Sequence, residues 1–141
     1  MGDDMISMPL VYPALLMAKF TGPSGLKREL RTLVRPGAPY CVIDREDAYR
    51  MGFVQAVMDM GPMHYELPPE RIPWMATTTG MLEAPIFTLA EVSVGDLSAK
   101  RVDTLAFDLP DATRIDAVLG ETFLSNFTVT FDYRKRQLRL E

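Results

Sequence analysis

Cysteine and histidine each occur only once in the 141 residues. The lone Cys41 cannot close a disulfide within the chain, so stability must come from a hydrophobic core, which 48% apolar residues can supply. Its neighbours Tyr40, Val42 and Ile43 mark it as a small buried hydrophobe rather than a reactive thiol. The lone His64 lies among Pro62, Pro68, Pro69 and Pro73, without the partners that a zinc site or a Ser-His-acid triad needs. It reads as a solvated loop residue, and no metal or cofactor is expected. The sequence contains no glycine-rich phosphate loop. Long apolar runs are missing too. Leu10 to Met17 is broken by Pro13 and preceded by Asp3 and Asp4, which fits neither a signal peptide nor a membrane span. Position 6 is Ile6, where a myristoylated start would have Ser or Thr. An excess of positive charge is absent as well. A net charge of −4 and a pI near 5.0 argue against nucleic acid as a partner. Arg134-Lys135-Arg136 reads as a hairpin turn. The expectation is a cytoplasmic protein.

Eleven prolines and nine glycines punctuate short apolar segments, the pattern of an all-β barrel or sandwich. A first strand, about Ala14 to Phe20, turns through Thr21-Gly22-Pro23-Ser24-Gly25 and returns as Leu26 to Val34. Tyr40 to Ile43 follows, and then a helix from Arg45 to Met51. Asp44 suits its N-cap, Glu46 and Asp47 its positive end, and Gly52 a left-handed close. Residues 54–73 are irregular. Ala76 to Leu82 reads as a hairpin tip feeding strands Ala84 to Val94 and, after Gly95-Asp96, Ala99 to Phe107. Phe127, Val129 and Phe131 alternate with polar residues as in a half-buried strand, and Gln137 to Leu140 can return beside it. The chain is expected to be one domain over residues 1–141, with 1–9 as a flexible leader.

Two segments carry the functional signal. Leu33-Val34-Arg35-Pro36-Gly37-Ala38 is two apolar residues and a turn ending in glycine, and Val118-Leu119-Gly120-Glu121-Thr122-Phe123-Leu124 is an apolar-apolar-Gly strand running into a short helix. With the order of elements around them, they resemble the two halves of a retropepsin-like aspartic protease centre of bacterial type. The resemblance covers most of the chain and is tightest at the C-terminus, where Phe127 and Val129-Thr130-Phe131-Asp132 continue the pattern. It implies a single-lobe, closed β-barrel of the aspartic-protease type with one or two short helices. It also implies a homodimer whose twofold axis brings two turns together, with a peptide or protein as ligand. The cleft would be framed by Val118, Leu119 and Gly120. The hairpin bearing Thr78, Thr79, Gly80 and Met81 would be a flap over the peptide, or else an ordinary β-turn.

The catalytic residues of that pattern are absent. The family's Asp-Thr-Gly or Asp-Ser-Gly is Arg35-Pro36-Gly37 here. A guanidinium stays protonated and cannot act as a base, and proline offers neither hydroxyl nor backbone N–H. Gly37 would retain a turn role, since Pro-Gly suits the centre of a type II turn. Asp103, in Val102-Asp103-Thr104-Leu105, has leucine where the motif needs glycine. Asp116 has a surface or capping explanation, and Asp44 and Asp47 belong to the helix start. The methionines around the hairpin, with Trp74, serve either as adaptable peptide contacts or as gap-fillers. The resulting expectation is a catalytically degenerate aspartic-protease-like module for dimerisation or peptide binding. The alternatives are an active endopeptidase that uses a non-standard acid or a complementary partner chain, and a purely structural barrel.

Overall fold

A computed structural model describes residues 6–9, 15–53, 74–77, 80–83, 86–109 and 114–141. The chain enters as strand β1 (Ile6–Pro9) and continues through β2 (Leu15–Thr21), β3 (Lys27–Val34), β4 (Cys41–Asp44) and helix α1 (Arg45–Arg50). The hairpin β5 (Trp74–Thr77) and β6 (Gly80–Glu83) precedes the long pair β7 (Ile86–Val94) and β8 (Leu97–Phe107). Strand β9 (Ala117–Leu119), helix α2 (Glu121–Leu124), β10 (Val129–Asp132) and β11 (Gln137–Leu140) complete it.

Six strands close a barrel in the order β2-β3-β9-β4-β8-β7, with β7 pairing back onto β2 through Phe20↔Val92. Alternation drives this closure. In β3, Leu30, Thr32 and Val34 are buried while Glu29 and Arg31 are exposed, and a strand turns successive side chains to opposite faces. The inward residues Phe20, Leu30, Ile43, Leu89, Val92, Val102 and Leu119 form one core that Phe123 and Leu138 join. Thr32 lies in that core, and its hydroxyl donates to the Leu30 carbonyl. Strand β9, three residues long, is the shortest member. It runs parallel to β3 and antiparallel to β4, so both of its edges are filled.

A second sheet, β1-β11-β10, packs Leu138 and Leu140 onto the core. Ile6–Pro9 was expected to belong to the flexible leader, and instead pairs with Leu140 to Gln137. Strand β11 is flanked by β10 on one edge, and β1 supplies hydrogen-bond partners for the other. The expected helix stops one residue early, with Met51 as its cap. Asp44 Oδ2 accepts from the Glu46 N–H at 3.2 Å, and Gly52 at φ 103° is left-handed as its role requires. The expected strand from Phe127 begins at Val129, and its ladder with β11 runs one rung further, where Thr128 and Glu141 exchange a reciprocal pair of backbone hydrogen bonds. Residues 54–73 and the hairpin tip residues Thr78 and Thr79 lie outside the described residues. Gly80 and Met81 start β6, whose register on β5 runs from Thr77↔Gly80 to Trp74↔Glu83. Among the described residues no helix is long and apolar enough to cross a membrane.

Candidate functional site

The turn after β3 is stitched to the turn after β9. The Arg35 N–H donates to the Leu119 carbonyl at 3.0 Å, Ala38 N–H closes onto the Arg35 carbonyl at 3.1 Å, and Glu121 N–H donates to the Ala38 carbonyl at 2.7 Å. Arg35, Pro36 and Gly37 are all exposed at this end of the barrel. A Cβ built on Gly120 would meet the Tyr40 carbonyl oxygen at 2.2 Å and that of Ala38 at 2.7 Å. Glycine is therefore required where the 38–40 backbone crosses β9. Gly37 is different. Its φ is not left-handed, so the turn is not type II, and a Cβ there would touch nothing within 4 Å. The hydrogen bond from Ala38 back to Arg35 and the fixed φ of Pro36 already define the turn, leaving glycine without a special task.

Beneath the turn, one hydroxyl ties three elements together. Thr122 Oγ1 accepts from the Cys41 N–H at 3.0 Å and donates to the Asp103 carbonyl at 2.7 Å. The Gly120 N–H points at Cys41 Sγ, 3.4 Å away. Cys41 is fully buried, and burial pushes its thiol above the ordinary cysteine range although hydrogen bonds from Thr122, Gly120 and Phe123 oppose this. A disulfide-exchange reagent is therefore expected to leave Cys41 unlabelled in the native protein and to label one thiol per chain after unfolding. Rapid labelling of folded protein would contradict the packing.

The register places an apolar row across the barrel wall. Leu33 pairs with Val118, Val118 with Val42, Val42 with Leu105, and Leu105 with Ile86. These residues face away from the main core, which takes the alternate positions Val34, Leu119, Ile43 and Ala106. Val42, Leu105 and Ile86 are buried, with Tyr40 and Leu109 against them, while Leu33 and Val118 are half-buried at the Arg35 end. β3 ends at Val34, but the Arg35 N–H still bonds the Leu119 carbonyl of the neighbouring strand, and period-two alternation carried one residue on assigns Arg35 to the Leu33 side, about 6.6 Å along. Among the described residues its guanidinium has no hydrogen bond or ion pair. Chemically, the arrangement can hold an anion beside an apolar strip. It cannot abstract a proton, because arginine remains charged.

The acids are placed elsewhere. Asp103 accepts from Thr88 Oγ1 at 2.8 Å on the barrel wall. Asp44 caps α1 and also accepts from the Leu109 N–H at 3.0 Å. Asp116 Oδ2 faces the Arg31 N–H at 3.4 Å, while its backbone bridges β3 and β4. Asp44, Asp47 and Asp116 line a polar cleft of about 290 Å³ together with Arg28, Arg50 and Arg114. That cleft opens at the Arg28 end of β3, the far end of the strand from Arg35. No group of three or more potential metal ligands occurs among the described residues.

Of the residues singled out from sequence, the structure brings Arg35, Pro36, Gly37, Val118, Leu119 and Gly120 together. Leu119 faces the core, whereas Val118 faces the apolar row. Sequence reasoning missed Val42, Leu105 and Ile86, because their shared row depends on register between distant strands. It also missed the Thr122 clamp.

No protein-family profile matches the chain, and no curated protein sequence matches it. A solved structure, that of a retropepsin-like aspartic protease from Rickettsia conorii, is similar at a TM-score of 0.59 and 18% identity. The match covers 96% of this chain and 89% of that one. At such identity the likeness concerns architecture. The chain thus has the fold of an aspartic-protease-like, single-lobe closed β-barrel.

Proposed function

We propose that this chain is a catalytically degenerate aspartic-protease-like domain that binds peptides and associates as a twofold dimer. The observation that carries the proposal is the exposed Arg35 turn following the half-buried Leu33, which pairs with the half-buried Val118. An extended peptide can rest an apolar side chain against Leu33 and Val118, the two members of the row that are not buried. The turn itself carries no carboxylate, since Arg35, Pro36 and Gly37 stand where the pattern has its acid. Dimerisation is supported by the second sheet. Strand β10 pairs on one edge only among the described residues, and an open strand edge is a template for another chain. The dimer brings two guanidinium groups near one axis. At about 4 Å they repel by roughly 4 kcal/mol at an effective dielectric of 20, so they diverge or share an anion. A single domain in a reducing, cytoplasmic compartment is part of this reading, supported by the buried free thiol.

Sedimentation equilibrium and calorimetric titration with apolar octapeptides test the two parts. A dimer that binds such peptides is expected. A monomer at every concentration removes the dimer, and absence of binding up to millimolar peptide removes the ligand role and leaves a structural barrel.

A further inference from the structure

We infer that Arg35 gives the exposed turn beside Leu33 and Val118 a preference for a carboxylate next to apolar residues, so that its ligand is an acidic-apolar peptide. This rests on the peptide-binding reading above. Arg28, Arg50 and Arg139 each have a carboxylate within 3.5 Å, from Asp47, Glu46 and Asp132 respectively. Arg35 has none. Glu121, whose N–H is bonded to Ala38 of the same turn, also makes no ion pair with it among the described residues. The base of the arginine is held by two backbone hydrogen bonds and by the fixed φ of Pro36. Binding therefore orders little beyond the side chain itself.

The chemistry of the surroundings selects the ligand. A guanidinium pairs with a carboxylate through two parallel, charge-assisted hydrogen bonds. Half-buried Leu33 and Val118 beside it lower the local dielectric and strengthen that pair relative to one in open water. The net charge of −4 disfavours ligands carrying several negative charges. One carboxylate on an otherwise apolar strand matches both features. It can come from an Asp or Glu side chain or from a peptide C-terminus.

The test is calorimetric titration of the full chain with three apolar octapeptides. One carries a central Asp with blocked ends, one a central Asn with blocked ends, and one a free C-terminal carboxylate and no acidic side chain. The Asp peptide or the free-carboxylate peptide is expected to bind at least tenfold more tightly than the Asn peptide, and whichever does so identifies the source of the carboxylate. In Arg35→Gln, shown by circular dichroism to be folded, that preference is expected to disappear. Equal affinity of all three peptides for the wild type overturns the inference while leaving peptide binding intact. A preference that persists in Arg35→Gln overturns it as well. No binding of any peptide removes the inference together with the reading beneath it.

Discussion

Gly120→Ala is expected to destabilise the fold by about 3 kcal/mol and to lower the melting temperature by roughly 10 °C. The added Cβ points at two backbone carbonyl oxygens, of Tyr40 and Ala38, at 2.2 and 2.7 Å, and neither is the end of a flexible side chain. Relief requires moving the 38–40 segment away from β9. That movement stretches the Glu121–Ala38 hydrogen bond and the contacts of Cys41 with Gly120 and Thr122. Gly37→Ala, in the turn after β3 that is bonded to the turn holding Gly120, supplies the control. Its Cβ enters open space at an ordinary φ, so the change is expected to be neutral or to stabilise by up to about 1 kcal/mol by restricting the unfolded chain. Thermal unfolding followed by circular dichroism distinguishes the two. Equal effects of both substitutions would mean that the crossing over Gly120 is not as tight as described.

Arg28→Ala is expected to cost about 2 kcal/mol at neutral pH. The figure lies below that for a fully buried pair, because the Arg28 side chain is 35% exposed. Its Nε lies 2.8 Å from Asp47 Oδ1, and the Asp47 side chain is only 12% exposed. Burial raises the Asp47 carboxyl above the usual range, the Arg28 charge and hydrogen bond pull it partly back, and the charges of Asp116 and Asp44 push it up further. The folded protein thus holds this proton to higher pH than the unfolded chain does. The associated stability is fully present below the unfolded carboxyl pKa of about 3.9 and is lost as pH rises through the folded value. Removing Arg28 raises the folded value further. The variant's deficit should accordingly be small in acid and grow toward neutrality, and Asp47→Asn in the same background should flatten that slope. Urea unfolding at a series of pH values measures this. A deficit independent of pH would mean that Arg28 contributes packing rather than charge.

The legible parts of the fold were those with local causes. Alternation in β3, proline and glycine between short apolar runs, and the Asp44 cap with Gly52 mark strands, turns and α1 without any knowledge of what they touch. The glycine at 120 was legible through a pattern, and its cause, a backbone crossing from residues 38–40, emerged only from tertiary contact. Gly37 misled, because Pro-Gly favours a type II turn in isolation while backbone bonds to β9 and Ala38 impose another geometry. Strand β1 was hidden because four residues ending in Pro9 carry little intrinsic strand signal, and their pairing is supplied by β11, at the opposite end of the chain. The apolar row was invisible for a related reason. Leu33, Val42, Ile86, Leu105 and Val118 look like ordinary strand residues until the register aligns them.

The central claim is the proposal that this aspartic-protease-like barrel binds peptides without hydrolysing them. Mass-spectrometric analysis of a broad peptide library incubated with purified wild-type protein at acidic and neutral pH tests it most directly. The account predicts that every peptide is recovered intact. Cleavage that a pepstatin-like inhibitor blocks and that substitution of a single aspartate abolishes would contradict it.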